Sequence, residues 1–126
     1  MTFNSGIFSF PSTGYYEIKG QLYLYSIGGS GGFVWAGVTM YMNKTGSTDA
    51  TYNGLTGWNQ VSGIFDSAHA AAGYGAAYLQ GYIKVTDTTQ DRIKMIYNST
   101  NTNGRLAGSS TYTGTTHFSF IKLRGL

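Results

Sequence analysis

The sequence predicts an all-β protein made of antiparallel strands, and three observations support this prediction. Apolar and polar residues alternate with a period of two along almost the whole chain, as in strands with one buried face. No window of about a dozen residues carries the apolar stripe of a helix. Nineteen glycines and only 10% charged residues indicate many turns. Because 126 residues suffice for one core, we expect a single domain over residues 1–126.

The first two predicted strands lie on either side of a proline turn. A short strand containing Ile7 and Phe8 ends at Pro11, which begins the turn PSTG because proline fixes φ and glycine accepts positive φ. A longer strand follows over residues 15–26. Its even positions are expected to face the core, and its odd positions carry tyrosines and charges. The predicted core positions are Tyr16, Ile18, Leu22 and Leu24.

The middle and the end of the chain continue the alternation. A third strand has Ala36, Val38, Met40 and Met42 on its core side and ends at the turn NKTG. Residues 48–67 are less regular, and we expect short strands with bulges or loops there. The alanines of AHAAAGYGAAY could begin a helix, but Gly73 and Gly75 would each cost it about 1 kcal/mol. The period-two tyrosines that follow predict a strand from Tyr74 to about Val85. The polar turn TDTTQD, a strand over residues 92–97, a loop over 98–110 and the strand HFSFIKL complete the prediction.

Tyrosines on the strand that follows residue 73 are the most informative feature of the chain. Tyr74, Tyr78 and Tyr82 share one face, while Ala77 and Leu79 lie on the other. Both faces of this strand are therefore apolar or aromatic, which is typical of a subunit interface. We expect the interface to include neighbours on the same sheet, namely Tyr23, Tyr25, Trp35 and Tyr41. A sugar-stacking platform and an ordinary core remain open as alternatives.

Composition argues against several classes of function. The chain has no cysteine, so disulfides and thiolate metal sites are excluded. The net charge of +3 comes from scattered cations, so we expect no nucleic-acid groove. No run approaches the roughly 20 apolar residues of a membrane span, so we expect no membrane insertion. The first residues, MTFNSGIF, do not resemble a secretory signal, so we expect either no export by that route or a sequence that has been trimmed.

Residues that could support catalysis are few. Glu17 is the only glutamate, and the chain has no G-x-S-x-G, H-E-x-x-H or glycine-rich phosphate motif. We therefore predict that the protein is not an enzyme and has no cofactor and no metal site. His69 could meet its symmetry mates near the axis of an oligomer, although an ordinary loop histidine is the simpler interpretation. His117 is expected to open the last strand.

Three segments in sequence order resemble a known superfamily. GIFSFPSTGYYEI, VTMYMNKTG and TTHFSFIKL are similar to the signature of the jelly-roll superfamily of the complement globular head and tumour necrosis factor. GYIKVTDTTQDRIKMIY is similar to its late pair of strands, with Asp91 at the acidic position before the second strand. The resemblance implies an antiparallel two-sheet jelly-roll sandwich that assembles as a compact homotrimer.

Within this superfamily, the composition fits members on bacteriophage fibres and virion surfaces best. We therefore expect a virion structural protein, at a tail-fibre tip, a spike or the capsid surface, assembled in the host cytoplasm. It would bind a host cell-surface glycan or protein, or other virion subunits, through the loops at 28–32, 45–59 and 98–110. Alternatives are a carbohydrate-binding module that uses Trp58 or Trp35, and a secreted binding domain. The candidate ligand surface comprises Trp58, Asn59, Asn101 and Asn103.

Overall fold

A computed structural model describes residues 1–26, 33–68, 74–100, 104–106 and 116–126. Within these ranges the chain forms nine β-strands and no helix. The strands are β1 (Thr2–Asn4), β2 (Ile7–Ser9), β3 (Gly14–Ser26), β4 (Phe33–Asn43), β5 (Trp58–Ala68), β6 (Tyr74–Val85), β7 (Arg92–Ser99), β8 (Gly104–Leu106) and β9 (His117–Arg124). Every pairing among the described strands is antiparallel. The all-β prediction is confirmed.

The strands form two sheets. The order in the five-stranded sheet is β1-β2-β7-β4-β5. In the four-stranded sheet, β3 lies between β6 on one side and both β8 and β9 on the other. β9 pairs with the first half of β3, from Tyr15 to Gln21, and β8 pairs with its end, from Leu24 to Ser26. The two-sheet, antiparallel part of the predicted architecture is therefore confirmed.

The core lies between the sheets and is filled by alternate residues of the long strands. Ile18 in β3 and Met40 in β4 are fully buried and belong to one cluster that draws on both sheets. Burial of a side chain of this size contributes about 1.5–3 kcal/mol, so the alternation determines which face of each strand turns inward. The other predicted core residues that are buried are Tyr16, Leu22, Leu24, Ala36, Val38, Met42, Ala77 and Leu79.

The N-terminal hairpin was not expected from the sequence. β1 and β2 are joined by Ser5 and Gly6, which both have positive φ, 49° and 88°. Two such residues between paired strands are the geometry of a type I′ turn, whose twist matches that of the strands. Asn4 and Ile7 are the last pair before the turn. Serine is an uncommon residue at positive φ, which explains why the sequence pattern did not indicate the turn.

Residues 48–67 match the prediction of loops and bulges in part, but not the prediction of several short strands. β5 is one continuous strand, although its register with β4 shifts between Met40 and Tyr41. Residues 44–57 form a loop that packs on the outer face of the five-stranded sheet, where it contacts Lys94 of β7. The period-two pattern is weak at the start of β5 because this loop covers the outer face and Trp58 is buried there.

The polar turn between β6 and β7 forms as predicted, and Asp91 organises it. The carboxylate of Asp91 accepts hydrogen bonds from the backbone amides of Thr86 and Asp87, at 2.6 and 3.2 Å, and pairs with Lys44 at 3.1 Å. Burial raises the pKa of Asp91, but these hydrogen bonds lower it by more, so the net pKa is below the ordinary value. The turn therefore depends on an ionised side chain.

Candidate functional site

The outer face of the four-stranded sheet is the candidate binding surface, and we call it the tyrosine face. Its members are Tyr15, Glu17, Lys19, Gln21 and Tyr23 of β3 and Tyr78, Gln80 and Tyr82 of β6. The register pairs Glu17 with Tyr82 and Gln21 with Tyr78, so these side chains are neighbours. Tyr78 and Tyr82 are 69% and 62% exposed, whereas Leu79 on the opposite face of β6 is 2% exposed. Large rings are thus presented on a rigid sheet.

A hydrogen-bond network around Glu17 fixes part of the tyrosine face. Gln80 Nε2 and the Tyr82 hydroxyl both donate to Glu17 Oε1, at 2.5 and 3.0 Å. Lys19 Nζ lies 3.1 Å from the other oxygen, Oε2. The hydrogen bond from Lys19, and then that from Gln80, hold the pKa of Glu17 below its ordinary value, and the bond to Glu17 raises the pKa of Tyr82. The Glu17 carboxylate is therefore ionised and compensated within the face.

Two further tyrosines of this face, Tyr15 and Tyr23, also contact polar groups. Gln21 Nε2 donates to the Tyr23 hydroxyl at 2.7 Å. The cations of Lys84 and Arg124 lie 5.8 and 4.5 Å from the centre of the Tyr15 ring. A phenol ring offers apolar area together with one hydroxyl group. A sheet of such rings suits contact with a flat protein surface or with the apolar face of a sugar.

The end of the tyrosine face is described only in part. Tyr25 is the partner of Tyr74 in the register of β3 and β6, so the backbones of both residues are where the prediction requires. The side chain of Tyr25 is half-buried. The side chain of Tyr74 lies outside the described part of the structure. Tyr23, Tyr25, Tyr74, Tyr78 and Tyr82 therefore do belong to one sheet.

Trp35 and Tyr41 do not lie on the same sheet as the other predicted interface residues. Both belong to β4, in the five-stranded sheet, so this part of the prediction is wrong. Trp35 packs edge to face against Phe65 at 5.3 Å, and the two rings are 41% and 45% exposed. Tyr41 is half-buried beside Lys94. Alternation shows which face of a strand a residue occupies, but not which sheet the strand joins.

Trp58 is not an exposed platform, contrary to the prediction. It is only 6% exposed, and the ammonium group of Lys94 lies 4.4 Å from its ring centre. The loop over residues 44–57 covers both side chains, which is why the ring is withdrawn from solvent. Its neighbour Asn59 is exposed, as predicted for a surface residue.

Lys94 is a buried polar residue that the sequence pattern did not predict. Its ammonium group donates to the backbone carbonyls of Asp49, Thr51 and Gly54, at 3.0, 3.2 and 2.6 Å. The side chain is 1% exposed. Its position between Ile93 and Met95 indicated a solvent-facing lysine, and the sequence carries no sign that a loop covers it.

Several predicted site residues cannot be placed. His69, Asn101 and Asn103 lie outside the described residues, as do the glycine loop at 28–32 and most of the loop at 98–110. His117 is exposed at the start of β9, as expected. Within the described ranges no three acidic or histidine side chains are grouped so as to hold a metal ion. The described part of the chain also holds no helix with the length and apolar character needed to cross a membrane.

Comparison with known proteins leaves the function to be argued from this chain alone. No protein-family model matches the sequence, and no curated protein matches it either. The tyrosine face and the exposed pair of Trp35 and Phe65 are the features of the described residues that bear most directly on function.

Proposed function

We propose that this protein is a structural protein of a bacteriophage virion, at a fibre tip, a spike or the capsid surface, and that it acts as a compact homotrimer. The trimer forms through the tyrosine face. Its task is attachment to a host-surface glycan or protein, or decoration of the particle through other virion subunits. The resemblance of three sequence segments to trimeric jelly-roll proteins supports this role.

The fold in this proposal is a jelly roll. Consecutive strands β3 and β4 belong to different sheets, and so do β5 and β6, and β6 and β7. Connections that cross between two packed antiparallel sheets are typical of Greek-key sandwiches and jelly rolls. The connectivity of the described strands therefore supports the jelly-roll assignment.

The exposure of Tyr78 and Tyr82 is the observation that carries the trimer proposal. Soluble monomers seldom expose a contiguous apolar patch larger than a few hundred Å². A ring that buries about 100 Å² in a contact contributes about 2.5 kcal/mol. Association costs about 4–15 kcal/mol, so several rings per subunit are needed. Tyr15 and Tyr23 on the same face supply further rings.

The pairing of Glu17 with Lys19 lowers the cost of burying this carboxylate in a contact between copies of the tyrosine face. Glu17 is the only carboxylate of that face, and Lys19 compensates that charge at 3.1 Å. A charge that is already paired and hydrogen-bonded can be buried at lower cost than an isolated one. Three identical faces can then meet without bringing uncompensated carboxylates together.

Light scattering of the purified chain tests the assembly. We expect a mass about three times the protomer mass of 13.6 kDa. Tyr78→Glu should lower this mass because it places an unpaired charge in the contact. Tyr52→Glu is the matched control, since Tyr52 is 59% exposed but lies in the loop over residues 44–57. A wild-type mass of one protomer, or the same mass change in both variants, would contradict the proposal.

The virion role is tested separately on phage particles that encode the chain. Antibodies raised against the purified protein should label intact particles at a fibre, a spike or the capsid surface. Purified particles that lack the protein by mass spectrometry would exclude this role while leaving the trimer untouched.

A carbohydrate-binding module is the second candidate, and one observation favours it. Trp35 and Phe65 form an exposed aromatic pair at the edge of the five-stranded sheet. Aromatic rings of this kind can stack on the apolar face of a sugar. In a glycan array, Trp35→Ala should abolish binding if the pair is the site, whereas Tyr52→Ala should not. Unchanged binding by Trp35→Ala would reject this candidate.

A further inference from the structure

We propose that a polar cleft on the five-stranded sheet binds a carboxylate-bearing sugar unit. The cleft has a volume of about 420 Å³ and is lined by Asn4, Ser5, Ile7, Ser9, Thr48 and Arg92. Small-molecule sites are typically about 300–1,000 Å³, so a single sugar ring fits. The inference rests on the proposed attachment role for its choice of a cell-surface sugar as ligand, but it does not require the trimer.

Three parts of the chain build the cleft. The type I′ turn places Asn4 and Ser5 on one side. The register of β2 and β7 pairs Ser9 with Arg92, so these two side chains are neighbours on one face of the sheet. Thr48 comes from the loop that Lys94 holds on the same face. The walls are thus fixed by a hairpin, a strand pair and an anchored loop.

Arg92 is the charged residue among those that line the cleft. Its Nη1 donates to the carbonyls of Thr88 and Asp91, at 2.9 and 3.0 Å, and its Nη2 donates to that of Thr89 at 2.7 Å. These bonds hold the guanidinium group in place and use three of its five N–H donors. Arg92 forms no ion pair with any described carboxylate, although its charge contributes, after the hydrogen bonds from Thr89, to lowering the pKa of Asp87. A fixed cation with donors to spare suits a carboxylate ligand.

The other lining residues favour a sugar over an inorganic anion, because an anion would use only their donor groups and not their acceptors or apolar surface. Ser5, Ser9 and Thr48 contribute hydroxyl groups, and Asn4 contributes an amide, so the cleft offers both donors and acceptors to ring hydroxyls. Ile7 supplies an apolar wall, being 6% exposed. Most small-molecule sites combine apolar walls with a few placed polar groups. A sugar ring that carries a carboxylate matches the cation, the hydroxyls and the apolar wall together.

Nuclear magnetic resonance titration of the full chain tests the site. The probes are the methyl glycosides of N-acetylneuraminic acid and glucuronic acid, with methyl glucoside and inorganic phosphate as comparisons. We expect saturable amide shifts confined to residues 4–9, 48 and 92 with the acidic sugars, and about tenfold weaker binding of methyl glucoside. Equal binding of the neutral sugar, stronger binding of phosphate, or shifts elsewhere would overturn the assignment.

Variants separate the cleft from the rest of the surface. Arg92→Gln should weaken binding of the acidic sugars about tenfold or more. Thr48→Val and Ser9→Ala should each weaken it about fivefold, and they decide the question if Arg92→Gln does not fold. Lys122→Gln is the matched control, because it removes one positive charge from a residue bonded to Ser12 outside the cleft. Wild-type affinity in the folded cleft variants would overturn the proposal.

Failure of this site and failure of the proposed trimer give different results. The cleft variants should keep the wild-type mass in light scattering, since they lie on the five-stranded sheet and not on the tyrosine face. Conversely, Tyr78→Glu should keep its affinity for the acidic sugars. A cleft variant that loses both properties would contradict an independent site.

Discussion

The ammonium group of Lys94 lies 4.4 Å from the centre of the Trp58 ring, and the two residues are 1% and 6% exposed. A charge at such a position is stabilised only if it is paired or fully hydrogen-bonded. Three backbone carbonyls from the loop over residues 44–57 satisfy it. Lys94 is therefore one anchor of this loop on the outer face of the five-stranded sheet, together with the buried Asn43, whose side chain bonds Gly57, Thr45 and Ser47.

Lys94→Met should lower the free energy of unfolding by about 3 kcal/mol, because three carbonyls lose a charged donor. Urea unfolding followed by tryptophan fluorescence measures this change. Lys84→Met is the control: Lys84 is exposed, and its loss should cost less than about 0.5 kcal/mol. Equal small losses in both variants would show that the loop does not depend on Lys94.

Asp91→Asn should destabilise the chain by about 2 kcal/mol near pH 7, since the turn loses a buried charged acceptor. The folded pKa of Asp91 lies below the ordinary value of 3.8. Its contribution is therefore present above about pH 4 and is lost as the pH falls through the folded pKa. The stability difference between wild type and Asp91→Asn should shrink on acidification. A difference independent of pH between 7 and 2 would refute this account.

Gly37→Ala should destabilise the fold, whereas Gly63→Ala should not. A Cβ at Gly37 would lie 2.0 Å from the carbonyl oxygen of Ile64 and 2.7 Å from the Cα of Phe65, and these backbone atoms cannot move aside. We expect a loss of about 1–3 kcal/mol. A Cβ at Gly63 meets nothing closer than 3.5 Å, so the matched variant should be neutral or slightly stabilising. Thermal unfolding compares the two, and a reversed order would contradict the packing of β4 on β5.

Glu17→Gln should weaken the proposed trimer by about tenfold in dissociation constant, because Lys19 is left uncompensated in each subunit. The double variant Glu17→Gln with Lys19→Gln should recover most of the loss, since it removes the unpaired charge. Light scattering over a dilution series measures both. If the double variant has the same dissociation constant as Glu17→Gln, the pairing of these charges does not govern assembly.

The sequence predicted the parts of this fold that depend on local alternation. The inward positions of β3 and β4, from Ile18 to Met40, follow from period-two burial and are confirmed. The same rule failed at Trp58 and Lys94, which occupy outward positions and would be solvent-facing in a bare sheet. It also could not assign Trp35 to a sheet, because strand order depends on contacts between residues distant in sequence.

By itself, the sequence determined that this chain is all-β and which side of each long strand is apolar, because side-chain direction alternates with every residue. It also placed Tyr78 and Tyr82 on the outward side of β6. Only the tertiary structure decided which strands share a sheet, that a loop covers Trp58 and Lys94, and that Ser9 and Arg92 line one cleft. Strand pairing, loop packing and the lining of the cleft depend on contacts between different elements of the chain. The local alternation of apolar and polar residues does not predict such contacts.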